Sequence, residues 1–304
     1  MPDTVLRDAA LERIADALDT TTAFRVARRF EPRGRYAEPD GKPTYRALFV
    51  DVETTGLDTE RDHIIQLALL PFEYAPSTGR IYAVGEPIVQ MEDPGRAIPP
   101  EITMLTGISD ADVAGRWIDE QAVDSLAAAA RLVVAHNAAF DRPLLERRLP
   151  LFREMPWACS RVEVPWAEHG IAAAKLEFVL FKHCRAFFEG HRADQDCHAA
   201  LHALATPFRS GELPFALLLK ASRRRTVRVW ALDAPYEARL ALKSRGYRWS
   251  PGEGGRPKAW YVDRRDEEVE GETEWLSEAV YLRRRDAPWR LHAFGAVDRY
   301  SVRV

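Results

Sequence analysis

Cysteine is scarce in this 304-residue sequence. Cys159, Cys184 and Cys197 form an odd set with no CxxC pair, which argues for reduced thiols and against a disulfide framework. Long apolar runs are missing too: none approaches the roughly 20 residues needed to cross a bilayer, so no membrane partner is expected. The stretch from Met1 to Glu12 is acidic and amphipathic and has no signal-peptide core, which makes a cytoplasmic location the expectation. Internal repeats and low-complexity tracts are also lacking, which excludes repeat architectures. What is present is an ordinary globular composition, 46% hydrophobic, in a chain long enough for one large domain and a smaller one.

Net charge is only -3, but it is unevenly spread. Residues 216–304 hold 19 Lys/Arg against 13 Asp/Glu, and residues 1–215 hold 24 against 33. A basic appendage beside an acidic body suggests an anionic partner.

The chain is organised around Leu48-Phe-Val-Asp51-Val-Glu53-Thr-Thr-Gly56-Leu57, an apolar run that carries two carboxylates and turns at a glycine. It reads as a buried strand leaving a sheet. Alternation along a strand puts Asp51 and Glu53 on one face, and like charges held together there cost stability unless a cation lies between them. Oxygen donors at this density suit Mg²⁺ or Mn²⁺. The alternative is a solvated strand end whose acids meet nearby arginines.

Around this strand the pattern predicts a helix containing Leu6, Ala10, Leu11, Ile14, Ala15 and Leu18, and an edge strand over Phe24–Phe30. Strands are expected over Ile64–Tyr74 and Arg80–Val89, giving an antiparallel meander. A helix over Asp119–Ala130, a buried strand Leu132–His136 and an amphipathic stretch Phe140–Leu149 follow. This alternation points to an α/β layer fold with part of its sheet parallel. Lys175–Cys184 is helical, Gly190 breaks the pattern, and helical spacing resumes from Cys197. Pro207 and Gly211 mark a boundary, giving a bracing segment 1–45, a main domain 46–210 and an auxiliary domain 211–304. The last comprises a helix Pro214–Arg223, a strand Thr226–Leu232, a helix Pro235–Ser244, aromatic strands Tyr247–Trp249 and Lys258–Val262, an acidic helix Asp266–Tyr281, and a terminal hairpin turning at Gly295.

In such a fold ligands gather at the carboxyl ends of strands, where Asp141, Asp196 and His191 can converge on Asp51 and Glu53. Taken singly, Asp141 and Asp196 could be helix N-caps and His191 a loop histidine. Their joint order resembles the DEDDh 3'-to-5' exonuclease family. Asp51-Val-Glu53-Thr-Thr-Gly-Leu is similar to its first motif, His136-Asn137-Ala-Ala-Phe140-Asp141 to its second, and His191-Arg-Ala193-Asp-Gln-Asp196 to its third. Ile98–Ile108 resembles the segment between the first two, and the likeness covers residues 46–207.

The resemblance implies an RNase H-like mixed sheet flanked by helices and two Mg²⁺ or Mn²⁺ ions about 4 Å apart. It implies that Asp51 bridges them, that Glu53 and Asp196 complete one site and that Asp141 holds the other. His191 would take the proton from the attacking water. Thr54, Thr55, Gly56 and Leu57 would meet the terminal nucleotide, with Asn137 and Phe140 lining the same pocket; Leu57 and Phe140 serve equally well as core residues. The implied partner is single-stranded nucleic acid, DNA favoured over RNA, and a protein partner in replication or repair is compatible with the family.

Two further clusters compete for attention. His183, Cys184, His191, Cys197, His198 and His202 form a local group in which His198 and His202 make a zinc-like i, i+4 pair, although no finger spacing appears. Trp230, Trp249, Trp260, Trp275 and Trp289 are interleaved with arginines and lysines, the ingredients of single-strand binding; equally, they could be the core of a small domain. The rival functions are an exoribonuclease that trims RNA and a nucleic-acid-binding protein without activity.

Overall fold

The computed structural model describes residues 9–253, 255–284 and 286–304. Leu6 of the N-terminal pattern and Arg285 of the basic run Arg283–Arg285 lie outside the described residues. Helix α1 (Ala9–Asp19) is followed by β1 (Arg28–Arg29), much shorter than the expected edge strand because its parallel partner is only Ala186–Phe187. Next come β2 (Tyr45–Thr54), β3 (Ile64–Tyr74), β4 (Ile81–Val84) and β5 (Ile88–Met91). The single strand expected over Arg80–Val89 is thus two strands. Pro87 lies between them, and proline has no N–H for a ladder.

Helices α2 (Pro100–Thr106), α3 (Asp110–Val113) and α4 (Glu120–Ala127) lead to β6 (Ala130–Ala135). The Asp119 side chain caps α4 by accepting from the Ala122 amide at 3.1 Å. Helix α5 (Ala138–Arg148) and β7 (Trp157–Cys159) follow, then α6 (Leu176–Val179), which continues as one π-helical turn over Leu180–Cys184. After β8 (Ala186–Phe187) come α7 (Ala193–Ala205) and α8 (Pro214–Ser222).

The main sheet runs β4-β3-β2-β6-β7, with β5 also beside β3. Strand β3 is antiparallel to β2, whereas β6 is parallel to both β2 and β7. This is a mixed sheet flanked by helices, RNase H-like as expected. Alternation along β2 splits the core. Ala47 and Phe49 face α7 and α8, in a cluster that includes Leu201, Leu204, Phe215 and Leu218. Leu48, Val50 and Val52 face α5, packing with Leu144, Leu145 and Trp157. Because Asp51 and Glu53 share parity with Phe49, their carboxylates emerge on the α7 face.

A second, antiparallel sheet is built from β9 (Thr226–Ala231), β10 (Arg248–Pro251), β11 (Lys258–Arg265) and β12 (Trp289–Phe294), in the order β10-β11-β9-β12. Helix α9 (Arg239–Ser244) and the π-helical turn Leu276–Val280 that continues α10 (Val269–Trp275) supply its core: Leu242, Leu276 and Val280 pack on Val229, Ala231 and Val262. No helix among the described residues is long and apolar enough to cross a membrane.

The terminal hairpin expected at Gly295 does not form. Strand β12 pairs with β9, and beyond Gly295 the chain winds through turns in which Arg299 N donates to Gly295 O at 2.9 Å and Ser301 N to Asp298 O at 3.0 Å. The physical reason lies in the main domain, whose groups capture the tail. The Trp157 amide donates to Ala296 O at 2.8 Å, and the buried Arg142 guanidinium donates to the carbonyls of Ala296, Val297 and Arg299. Carbonyls engaged in this way are not offered to a returning strand.

Candidate active site

Four carboxylates from three elements meet at the end of β2. Ligand oxygens of Asp51, Glu53 and Asp196 lie within 4.8 Å of one another. Asp141, in the first turn of α5, is 3% exposed, and its charge bears on Asp51 and Glu53. Neither Asp141 nor Asp196 is an N-cap; those positions are Asn137 and Arg192. Asp196 is fixed by the Arg192 amide, which donates to its Oδ2 at 3.0 Å.

The electrostatics are those of a site missing its counter-charge. Burial, then the charges of Asp141, Asp196 and Glu53, lift Asp51 well above the usual carboxylate range. Burial and the charges of Asp196 and Asp141 push Glu53 up to about 8. Asp141 and Asp196 are raised as well, mainly by burial, with backbone amides opposing the rise. Among the described residues no lysine or arginine pairs with any of the four, so the strand-end alternative with nearby arginines does not hold. A dense set of hard oxygen donors without an internal cation fits a divalent metal ion.

His191 lies on the exposed loop before α7 with a left-handed backbone, φ 70°. Among the described residues its imidazole has no hydrogen-bond or ion-pair partner, and it does not share the 4.8 Å grouping of Asp51, Glu53 and Asp196. Thr54 donates to Gly56 O at 2.6 Å. Thr55 donates to Asp62 Oδ1 at 2.9 Å and accepts from Arg96 at 2.6 Å, so both hydroxyls brace the loop. A Cβ on Gly56 would come within 2.5 Å of Asp62 Oδ2, so any other residue there would push aside the carboxylate that braces the loop. Leu57 is 87% exposed at the tip. Asn137 Oδ1 accepts from Arg161 at 3.3 Å, and Phe140 packs partly on the α5-side core.

The histidine and cysteine group does not assemble as a metal site among the described residues. His183 Nε2 bonds Thr206 O at 2.9 Å, His202 lies against Phe30 and Tyr36, and all three cysteines are free thiols. His136, which opens the second motif, has both ring nitrogens engaged, by Ser160 and by Ala174 O, each at 2.8 Å. Burial lowers it to about 4, so it is a neutral structural group.

Gln66 was invisible from sequence because a lone glutamine in a strand carries no motif. It sits opposite Glu53 in the ladder, is 2% exposed, and its Oε1 accepts from the Ala193 amide at 3.1 Å. It therefore pins the start of α7 beside the carboxylates. Gln66→Leu is expected to leave that amide unpaired at a cost of about 1–3 kcal/mol. Calorimetric titration should show weaker divalent-ion binding, and unchanged affinity would remove Gln66 from the site's support.

An acidic cluster, three of its carboxylates half-buried and Asp141 buried, at the end of the central strand of an RNase H-like sheet defines a metal-dependent nuclease framework. The RNase T family model, described as an exonuclease, matches residues 48–204, just over half of the chain. The protein belongs to this exonuclease family: it is a 3'-to-5' exonuclease of the DEDDh type, a phosphodiester hydrolase. The DNA polymerase III subunit epsilon of Treponema pallidum (strain Nichols) is 26% identical over 169 residues, 51% of this chain and 73% of that protein. Among solved structures, exonuclease X in complex with 5' overhanging duplex DNA is similar at 24% identity and TM-score 0.37, over 58% of this chain and 90% of that one. The zinc-bound E. coli ExoI–ssDNA complex is similar at 14% identity and TM-score 0.49, over 73% of this chain and 63% of that one.

Proposed function

We propose that the protein removes nucleotides from the 3' ends of single-stranded DNA, using two divalent cations and His191 as general base. The observation that carries this reading is the convergence of Asp51, Glu53, Asp141 and Asp196 with raised proton affinities and no counter-charge among the described residues. When bound, the cations would lower the pKa of the attacking water and neutralise charge on the entering and leaving oxygens. Asp51, on the strand, would bridge the two; Glu53 and Asp196 would complete one ligand set and Asp141 the other. His191 accepts the proton of the attacking water, a task suited to an exposed imidazole on a loop. Leu57, exposed at the tip, meets the terminal base, and the Thr54–Gly56 backbone, held by its own hydroxyls and Asp62, lines the approach of the phosphate with Asn137 and Phe140 at the rim.

DNA is favoured because the epsilon relative is named as a DNA polymerase III subunit. In this reading residues 1–45 brace, 46–210 catalyse and 211–304 hold the incoming strand. Of the five tryptophans in the last segment, Trp230 is buried and Trp260 and Trp275 pack on its core, while Trp249 and Trp289 are 49% and 37% exposed. The exposed pair and Arg290 are the surface offered to bases and phosphates.

The test is a time course on 5'-labelled single-stranded DNA and RNA of equal sequence with Mg²⁺, Mn²⁺ or EDTA. Metal-dependent ladders shortening from the 3' end, faster on DNA, are expected. Faster loss of RNA would make the protein an exoribonuclease, which reads the 2'-hydroxyl. Substrates retarded in a gel but uncut with either metal would overturn the catalytic reading.

A further inference from the structure

A cavity of about 470 Å³ is lined by none of the catalytic candidates. Four cations border it, Arg25, Lys182, Arg185 and Arg209, against one carboxylate, Glu168. Arg185 is paired with Asp19, but among the described residues Arg25 and Arg209 have no hydrogen-bond or ion-pair partner, and Lys182 rests on the faces of Phe178 and Phe181. Several cations around one concavity repel each other and are relieved by an anion.

The wall is aromatic. The His169 ring lies flat on Phe208, centroids 3.6 Å apart and planes within 4°, and His183 stands 4.8 Å from the same phenyl ring. Gly170, φ 79°, has open space where a Cβ would be, so backbone and a flat π surface face the cavity together.

The backbone here is also unusual. Lys182 and His183 sit in the π-helical turn Leu180–Cys184, which ends at Arg185 in a left-handed conformation, φ 53°. Single π turns recur at functional sites, and a non-glycine residue in the left-handed region costs of order 1 kcal/mol or more that the surroundings must offset. The turn delivers Lys182 and Arg185 to the same rim.

We infer that this cavity binds a nucleotide, its phosphate met by Arg25, Lys182 and Arg209 and its base laid against the His169–Phe208 stack. The volume exceeds what a bare phosphate needs, and aromatic walls with cations at one rim are how bases and phosphates are held together. The nucleotide can be a free nucleoside 5'-monophosphate, which is what an exonuclease of this class releases, or one unit of a polymer strand. The inference is independent of which polymer the carboxylate site cuts.

The experiment is equilibrium dialysis of the full chain with labelled dTMP in EDTA, which removes divalent ions from the carboxylate site. One saturable molecule per chain is expected. Arg25→Glu with Arg209→Glu, both at exposed positions, should weaken binding at least tenfold without moving the melting temperature. His169→Ala should weaken dTMP but leave competition by inorganic phosphate unchanged. Competition by a short oligothymidylate would assign the site to the strand, and its failure to compete would assign it to the free nucleotide. No binding in EDTA, equal binding by the double variant, or inorganic phosphate competing as strongly as dTMP would each overturn the inference.

Discussion

Asp51→Asn is expected to lower exonuclease activity about a thousandfold or more, a loss of roughly 4 kcal/mol of transition-state stabilisation, while making the metal-free protein more stable. The two effects have one cause. Asp51 is the most crowded of the four acids, facing Asp141, Asp196 and Glu53 in a half-buried site, so its charge is useful only with cations present. Without them each raised carboxyl binds its proton more tightly in the folded than in the unfolded chain. Stability from that difference is fully present below the unfolded pKa near 4 and is lost as the pH rises through the folded value, about 8 for Glu53. In EDTA the melting temperature should therefore fall between about pH 5 and pH 8 by on the order of 10 °C, taking ~1.4 kcal/mol per pKa unit and a few degrees per kcal/mol. Mg²⁺ should flatten the fall, and so in part should Asp51→Asn. Buried His136 and His202, both lowered to about 4, pull the other way between pH 4 and 6.5, so differential scanning fluorimetry decides the matter by the gap between the Mg²⁺ and EDTA curves: a gap that does not widen towards pH 8, or that Asp51→Asn leaves unchanged, would remove the charge crowding on which the metal reading stands.

The carboxylate set was legible because its placement follows from local rules. Parity along β2 puts Asp51 and Glu53 on one face, and Asp141 and Asp196 lie in first turns that start at the sheet's carboxyl edge. The strands and most helices that carry the two core layers were legible for the same reason, since alternation and helical period are read within one element. What escaped were partners far apart in the chain. Gln66 reaches Ala193 across 127 positions, and Arg142 reaches Arg299 across 157. The tail after Gly295 has strand-like composition on both sides of a glycine, and nothing local says that its carbonyls are taken elsewhere. The tryptophans of the second sheet could not be sorted into core and surface either, because strand order decides it: Trp249, Trp260 and Trp289 share a face through Ala231, but Trp260 lies on an inner strand while Trp249 and Trp289 lie on the edge strands β10 and β12.

Arg142→Met is expected to cost about 3–5 kcal/mol and to lower activity, although residue 142 touches no reacting group. Arg142 is fully buried, stacks over Trp157 with its guanidinium carbon 5.5 Å from the ring centroid, pairs with Glu146 at 2.7 Å, and donates to four carbonyls, those of Arg153, Ala296, Val297 and Arg299. Removing it strands Glu146, itself 3% exposed, with Ser301 at 2.7 Å and Arg303 at 3.4 Å as its remaining partners. The tail would then lose its hold on α5, the helix whose first turn carries Asp141. Lysine keeps the charge but not the planar fork, so Arg142→Lys should fall between wild type and Met. Deleting residues 296–304 should reproduce the Met variant in both melting temperature and activity. Cutting the chain near residue 213 asks a different question, because it also strips Phe215, Leu218 and Leu219 from the main core. For that reason strand binding by the second sheet is better tested with Trp249→Ala and Trp289→Ala, whose side chains are exposed. An Arg142→Met protein that melts within a degree or two of wild type would mean that the tail is held by its own turns, and the clasp would have no claim on Asp141.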